Sequence, residues 1–240
     1  QMCIRDRGDS CTGCIERRIR RVDCHRSINA PEKRNRMIPE LIKQTRTVRR
    51  FKQDRSLDPA TLLELVDLAR FGGSARNCQP LRYMIVTDRE RRERIFPFLG
   101  WAGYLTDWAG PVEGERPAAY IICLLALDRL AGPEHEVHFD LGISTQNMLL
   151  GAAQKGISGC RIGSFGKKLA AELGIDSRHK ILLVLALGYP AEKVVLEEVG
   201  GDDDIRYWRD NAGVHHVPKR SLEDILYLQP DAGPDTSTSG

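Results

Sequence analysis

The chain has 240 residues, of which 41% are hydrophobic and 29% charged, a balance that excludes an intrinsically disordered protein. At about 150 residues per domain, the length fits one large domain or two small ones. The net charge of +3 is too small for a dedicated nucleic-acid binder, although it is uneven, with +9 in residues 1–55 and −6 in residues 56–240.

Residues 1–36 show neither helical nor strand periodicity and carry no apolar signal-peptide core. They read as a disordered or non-native extension ahead of Met37. Cys3, Cys11, Cys14 and Cys24 fall there, but only Cys11 and Cys14 form a close pair, so no metal site is expected. Scattered Cys78, Cys123 and Cys160 suggest a reducing, cytoplasmic setting.

Residues 38–45 read as a short helix, followed by the basic run Arg46-Thr47-Val48-Arg49-Arg50-Phe51. Asp58 and Pro59 mark a helix start, Leu62, Leu63, Val66 and Ala69 follow at helical spacing, and Gly72-Gly73 ends it. Ser74 to Pro80 is a loop, Tyr83 to Thr87 a strand, and Arg89 to Leu99 a charged, solvent-facing helix. The stretch 100–117 has no periodicity, and a loop of that length is usually functional. Ala118 to Leu127 is the longest apolar run. It is half of the ~20 residues a membrane span needs, and reads instead as a strand buried on both faces.

Val137 to Lys155 reads as a long helix apolar nearly all round, hence a core or interface helix. Gly159 to Ile162 is a short strand, Phe165 to Leu173 a helix, and Ile181 to Leu187 a second buried strand. An acidic loop and an unassigned segment lead to His215-His216-Val217-Pro218-Lys219-Arg220. A last helix, Ser221 to Tyr227, precedes a polar tail, residues 229–240, read as disordered.

No strand is followed by G-x-G-x-x-G or by a P-loop, and there is no G-x-S-x-G elbow. Three segments carry other chemistry. Arg46, Thr47 and Arg49, with Lys219-Arg220 far along the chain, suit an anion, because Arg forks bind phosphate bidentately. Read singly, each cluster is more readily a solvated face. Ser74-Ala75-Arg76-Asn77-Cys78-Gln79-Pro80 offers amide donors and acceptors that suit a heterocycle edge, or forms an ordinary polar turn. Gly159-Cys160-Arg161-Ile162-Gly163-Ser164-Phe165 lets backbone approach a planar ligand, or is a plain glycine-rich turn.

Taken in order, R-T-x-R, S-A-R-N-x-Q-P, the helix with Asp140, Gly142, Gln146, Asn147 and Met148, G-C-x-I-G-S-F, Leu187 to Pro190 and H-H-V-P-K-R resemble the FMN-dependent nitroreductase family. The resemblance spans about residues 38 to 228 and implies an FMN-binding domain over residues 37–228. It implies an α+β fold with a central mixed sheet flanked by helices. It implies an intertwined homodimer with FMN at the subunit interface, and no nucleic-acid or membrane partner. It also implies hydride transfer from NAD(P)H through flavin N5 to an acceptor such as a nitroaromatic or quinone, in a ping-pong cycle.

Carried over by motif, Arg46, Thr47, Lys219 and Arg220 would hold the phosphate, and Arg49 would reach the pyrimidine side. Ser74, Asn77, Gln79 and Gln146 would address the cofactor, with Asn77 and Gln79 on the ring edge. Ile162 and Gly163 would lie beside the ring, a backbone N–H near Gly163 facing N5. No catalytic side chain is singled out. Trp101, Tyr104 and Trp108 form a candidate substrate lid, or cover the edge of the core. Gly72-Gly73 replaces a proline common in the family, and Arg161 stands where many relatives carry an aromatic residue, so substrate preference is open. Reductive dehalogenation or flavin breakdown on the same fold, non-catalytic flavin binding and binding through the basic arm are the alternatives.

Overall fold

The computed structural model describes residues 38–201 and 203–227. The four-cysteine segment and both terminal extensions lie outside the described residues. A four-stranded antiparallel sheet forms the centre, in the order β1 (Leu81–Val86), β2 (Ala119–Ala126), β4 (His179–Gly188), β3 (Ser158–Ile162). Thr47 pairs in parallel with Gly159 at the β3 edge, which makes the sheet mixed there. All eight residues of β2 are buried, as its unbroken apolar run predicts.

Alternate residues of these strands face two apolar layers. On one face α2 (Pro59–Ala69) and α4 (Glu134–Gln154) pack through Leu62, Leu65, Leu141, Met148 and Leu149 onto Ile121, Cys123, Leu185 and Leu187. On the other, Val48, Phe51, Ile95, Leu99 and Leu169 pack onto Tyr120, Ile122, Val184 and Ile162. Helix α2 begins as its sequence predicts: the Asp58 carboxylate accepts from the Ala60 amide, with Pro59 in the first turn. Helix α1 covers Ile38–Gln44.

Several elements differ from the sequence expectation. Helix α3 is shorter, Arg89–Ile95, and not wholly solvent-facing, because Ile95 is fully buried beneath its arginines. Helix α5 shrinks to Leu169–Glu172, because Phe165 pairs with Leu99 and the Gly166 amide donates to Phe98 instead. The segment after β4 forms a second sheet, β5 (Val194–Val199), β7 (His215–Arg220) and β6 (Trp208–Arg209), with β5 and β7 parallel. Ser221 caps the last helix, α6 (Leu222–Ile225). Among the described residues, no helix is long and apolar enough to cross a membrane.

Candidate active site

The basic run crosses the molecule beside β3. The Val48 amide donates to Gly159 O at 3.1 Å, and Phe51 pairs with Pro190. Val48, Arg49 and Phe51 are buried, and Thr47 is exposed. Arg46 donates through Nη2 to Ile42 O at 2.6 Å, while its Nε is buried without a hydrogen-bond partner. Burial lowers the pKa of this guanidinium, since desolvation disfavours the charged form.

Arg49 is 9% exposed, and sequence reasoning missed most of what surrounds it. Its guanidinium lies 4.5 Å from the Tyr207 ring centroid, and Nη1 approaches His215 Nε2 at 3.1 Å. Arginine only donates, so His215 Nε2 is the acceptor and Nδ1 carries the proton. Burial, followed by the Arg49 charge, pushes the His215 pKa down to about 4. Nearby, one Glu192 oxygen accepts from the Arg49 and Arg50 amides at 2.5 and 3.2 Å, and the other meets Arg209 at 2.7 Å. The Arg209–Glu192 pair is buried, at 10% and 1% side-chain exposure. Glu192, Tyr207 and Arg209 have no spacing in the sequence that marks them.

The Ser74–Pro80 loop is held from α4. Asp140, 4% exposed, accepts from Ser74 Oγ at 2.6 Å and from the Ala75 amide at 3.0 Å. Arg76, Asn77 and Gln79 take positive φ angles of 53°, 52° and 49°, a region that non-glycine residues seldom occupy. The loop is therefore specified by its anchors. Asn77 and Gln79 are exposed side by side, Gln79 Nε2 donating to Asn77 Oδ1 at 3.0 Å.

At the β3 edge Ile162 is buried and Gly163 exposed, and a Cβ on Gly163 would meet no atom within 4 Å. Arg161 turns to α4, donating to Thr145 Oγ1 and Gln146 Oε1, each at 2.8 Å. Gln146 thus stands close to β3 but holds Arg161. Cys160 and Cys123 are buried, which pushes their thiols up to about 11 and about 12 and removes them as nucleophiles. Among the described residues, no group of His, Cys, Asp or Glu is placed to hold a metal ion.

Sheet register separates two of these segments. Ile162, Val184, Ile122 and Met84 form one cross-strand row. Three strand intervals and the run from Met84 back to Pro80 put Ile162 and Pro80 roughly 15–20 Å apart. Asn77 and Gln79 therefore belong to one edge of the sheet, and Thr47, Ile162 and Gly163 to the other. Lys219 and Arg220 are exposed at the end of β7, where Arg220 donates to Gly201 O.

The three aromatic residues of the long loop part company. Trp101 packs against the core beside Phe96, so it covers the core edge. Tyr104 is exposed against Tyr207 at 5.0 Å, and Trp108 lies under the Arg209 and Arg50 guanidiniums at 4.1 and 5.9 Å.

The donor set fits a flavin mononucleotide on its own chemistry. It offers a buried, unpartnered Arg46 Nε, a buried cation at Arg49, an exposed pair of amide side chains and open space before Gly163.

Helices on both faces of a largely antiparallel sheet define an α+β fold. Residues 42–189 match the model of the Nitroreductase family, and the chain belongs to that family. A "putative NADH dehydrogenase/NAD(P)H nitroreductase" of Methanothermobacter thermautotrophicus is 29% identical over 163 residues, 64% of this chain and 77% of that protein. A similarly named protein of Archaeoglobus fulgidus is 26% identical over 155 residues, 62% of this chain and 83% of its own. Among solved structures, a "putative nitroreductase in complex with FMN" from Desulfovibrio desulfuricans shares the fold, with a TM-score of 0.58. It is 20% identical, covering 80% of this chain and 96% of its own.

Proposed function

We propose that this chain is an FMN-dependent oxidoreductase that takes hydride from NAD(P)H and passes it to an electrophilic acceptor such as a nitroaromatic or quinone. Membership of the family supports this, as do the names of the relatives and the FMN in the Desulfovibrio structure. Bound FMN would supply the hydride-accepting and hydride-donating chemistry, and the protein binding and electrostatics. Arg46 and Thr47, with Lys219 and Arg220, bind the phosphate through charge-assisted hydrogen bonds. Arg49 would set a fixed positive charge beside a bound flavin ring, favouring its reduced, negatively charged form. Because His215 is neutral and only accepts from Arg49, it leaves that charge in place. Asn77 and Gln79 would hydrogen-bond the ring edge, and Ile162 and Gly163 would flank the ring.

One observation carries the assembly. The Asn77–Gln79 pair and the Thr47–Gly163 edge lie on opposite sides of one sheet, so one ring reaches both only if each comes from a different copy. The active form is accordingly a homodimer with two identical sites. The exposed Phe139 and Ile143 of α4, 68% and 43% accessible, suit its interface. Unpaired Cys78, Cys123 and Cys160 accord with a reducing, cytoplasmic setting.

The test is an anaerobic visible spectrum of FMN-loaded protein before and after NADH or NADPH. A flavin spectrum that bleaches is expected. Protein that retains no FMN, or flavin that neither nucleotide reduces, would overturn the reading.

A further inference from the structure

A cleft of about 670 Å³ opens between residues 104–108 of the long loop and residues 208–213 of the β6–β7 turn. The second wall lies beyond residues 42–189, the part that matches the family model. Three aromatic side chains line it, Tyr104, Trp108 and Trp208. Trp208 is already stacked on His216 at 4.1 Å and 11°, and Tyr104 rests on Tyr207, so both rings are fixed.

Two guanidiniums line the same cleft. Arg50 faces Glu115 with its Nε edge at 3.3 Å, while its Nη1 reaches the other wall, 3.5 Å from where a Cβ on Gly213 would stand. Arg209 gives Nη2 to Glu192 and lies over Trp108. Each arginine has five N–H donors, so a carboxylate on one edge leaves the other edge with donors to spare. Exposed Asp107 is also in the lining, and Asp210 there is held by the Val214 amide at 2.8 Å and faces His216 Nε2 at 3.4 Å. The cleft joins the flavin-side residues through Tyr104, Tyr207 and Arg49, successive contacts of 5.0 and 4.5 Å.

We infer that this cleft recognises the acceptor and selects planar aromatic carboxylates, the ring lying on the Tyr104–Trp108 side and the carboxylate meeting Arg50 and Arg209. The inference rests on the oxidoreductase reading for its role, but not for its binding chemistry. Flat aromatic walls favour ring stacking, and a guanidinium edge matches a carboxylate in a fork.

Calorimetric titration of the whole chain, with and without FMN, tests it with 4-nitrobenzoate and nitrobenzene as probes. Nitrobenzoate is expected to bind at least about tenfold tighter, the worth of one charge-assisted hydrogen bond pair. Arg50→Met should abolish that preference and leave nitrobenzene within about twofold. Asp107→Asn, an exposed change that spares the fold, should strengthen nitrobenzoate binding alone. Equal affinity for both probes in the unaltered protein, or an unchanged ratio in either variant, would overturn the inference. So would adenosine monophosphate binding tighter than nitrobenzoate, which would assign the cleft to the dinucleotide. Protein that holds no FMN yet keeps the nitrobenzoate preference would refute the oxidoreductase reading and leave the cleft assignment standing.

Discussion

Acidification should destabilise this protein through His215 in a way a single substitution removes. The imidazole is 1% exposed and accepts from Arg49, so a second proton on Nε2 would both cost the hydrogen bond and set two cations 3.1 Å apart. Its folded pKa of about 4 lies below the ordinary 6.5. The unfolded chain therefore takes up a proton first, and the stability present above pH 6.5 is lost as pH falls toward 4. One proton is worth about 1.4 kcal/mol per pH unit in that window, so going from pH 7 to pH 5 costs about 2 kcal/mol. Glutamine at the same place still offers Arg49 an acceptor oxygen but does not titrate. Urea unfolding of the unaltered chain and of His215→Gln, each at pH 7 and pH 5, isolates this contribution, since all other groups are shared. The variant should lose about 2 kcal/mol less over that interval. Parallel losses in the two proteins would refute both the tautomer and the buried contact.

Neighbouring His216 should act with the opposite sign: its hydrogen bond to Glu197 raises its pKa, so its contribution holds at low pH and fades as pH rises through the raised value, as a His216→Gln variant compared across pH 6 to 9 would reveal. Replacing Lys219 and Arg220 together by alanine should weaken FMN retention, read by ultrafiltration, and unchanged retention would remove them from the phosphate site. Arg49→Ala should slow anaerobic flavin reduction in stopped flow more than it weakens FMN binding. Mixing inactive Arg46→Ala and Asn77→Ala chains after mild dissociation should restore up to about a quarter of the sites, because each mixed dimer rebuilds one intact site of its two. No recovery despite exchanged subunits would place both residues in the same chain's site.

Local signals were legible where one rule dominated. The Asp58-Pro59 start of α2, the apolar run of β2 and the long α4 were all readable before the structure. Phe165 to Leu173 looked helical because its apolar spacing is, but tertiary pairing of Phe165 with Leu99 takes its first turn away. Strands β5 and β7 escaped notice because Glu197, Glu198 and Pro218 interrupt the alternation, and their parallel partner is over twenty residues away. The site divides in the same way. Clustered Arg46, Thr47 and Arg49 announce a cationic segment, and Asn77 and Gln79 an amide pair. Glu192, Tyr207 and Arg209 carry no such motif, and His215, though it opens H-H-V-P-K-R, meets Arg49 only through the return of β7.

That return also bears on where the working unit ends. The family match stops at residue 189, yet the acceptor for the Arg49 guanidinium is His215, and the carboxylate that accepts from the Arg49 and Arg50 amides is Glu192. A fragment trimmed to the matched region would keep the whole central sheet and the basic run. It would nevertheless strand a buried guanidinium without its counterparts. The segment beyond residue 189 thus makes the chain's buried Arg49 tolerable, and a boundary drawn at the end of the family match would cut it off.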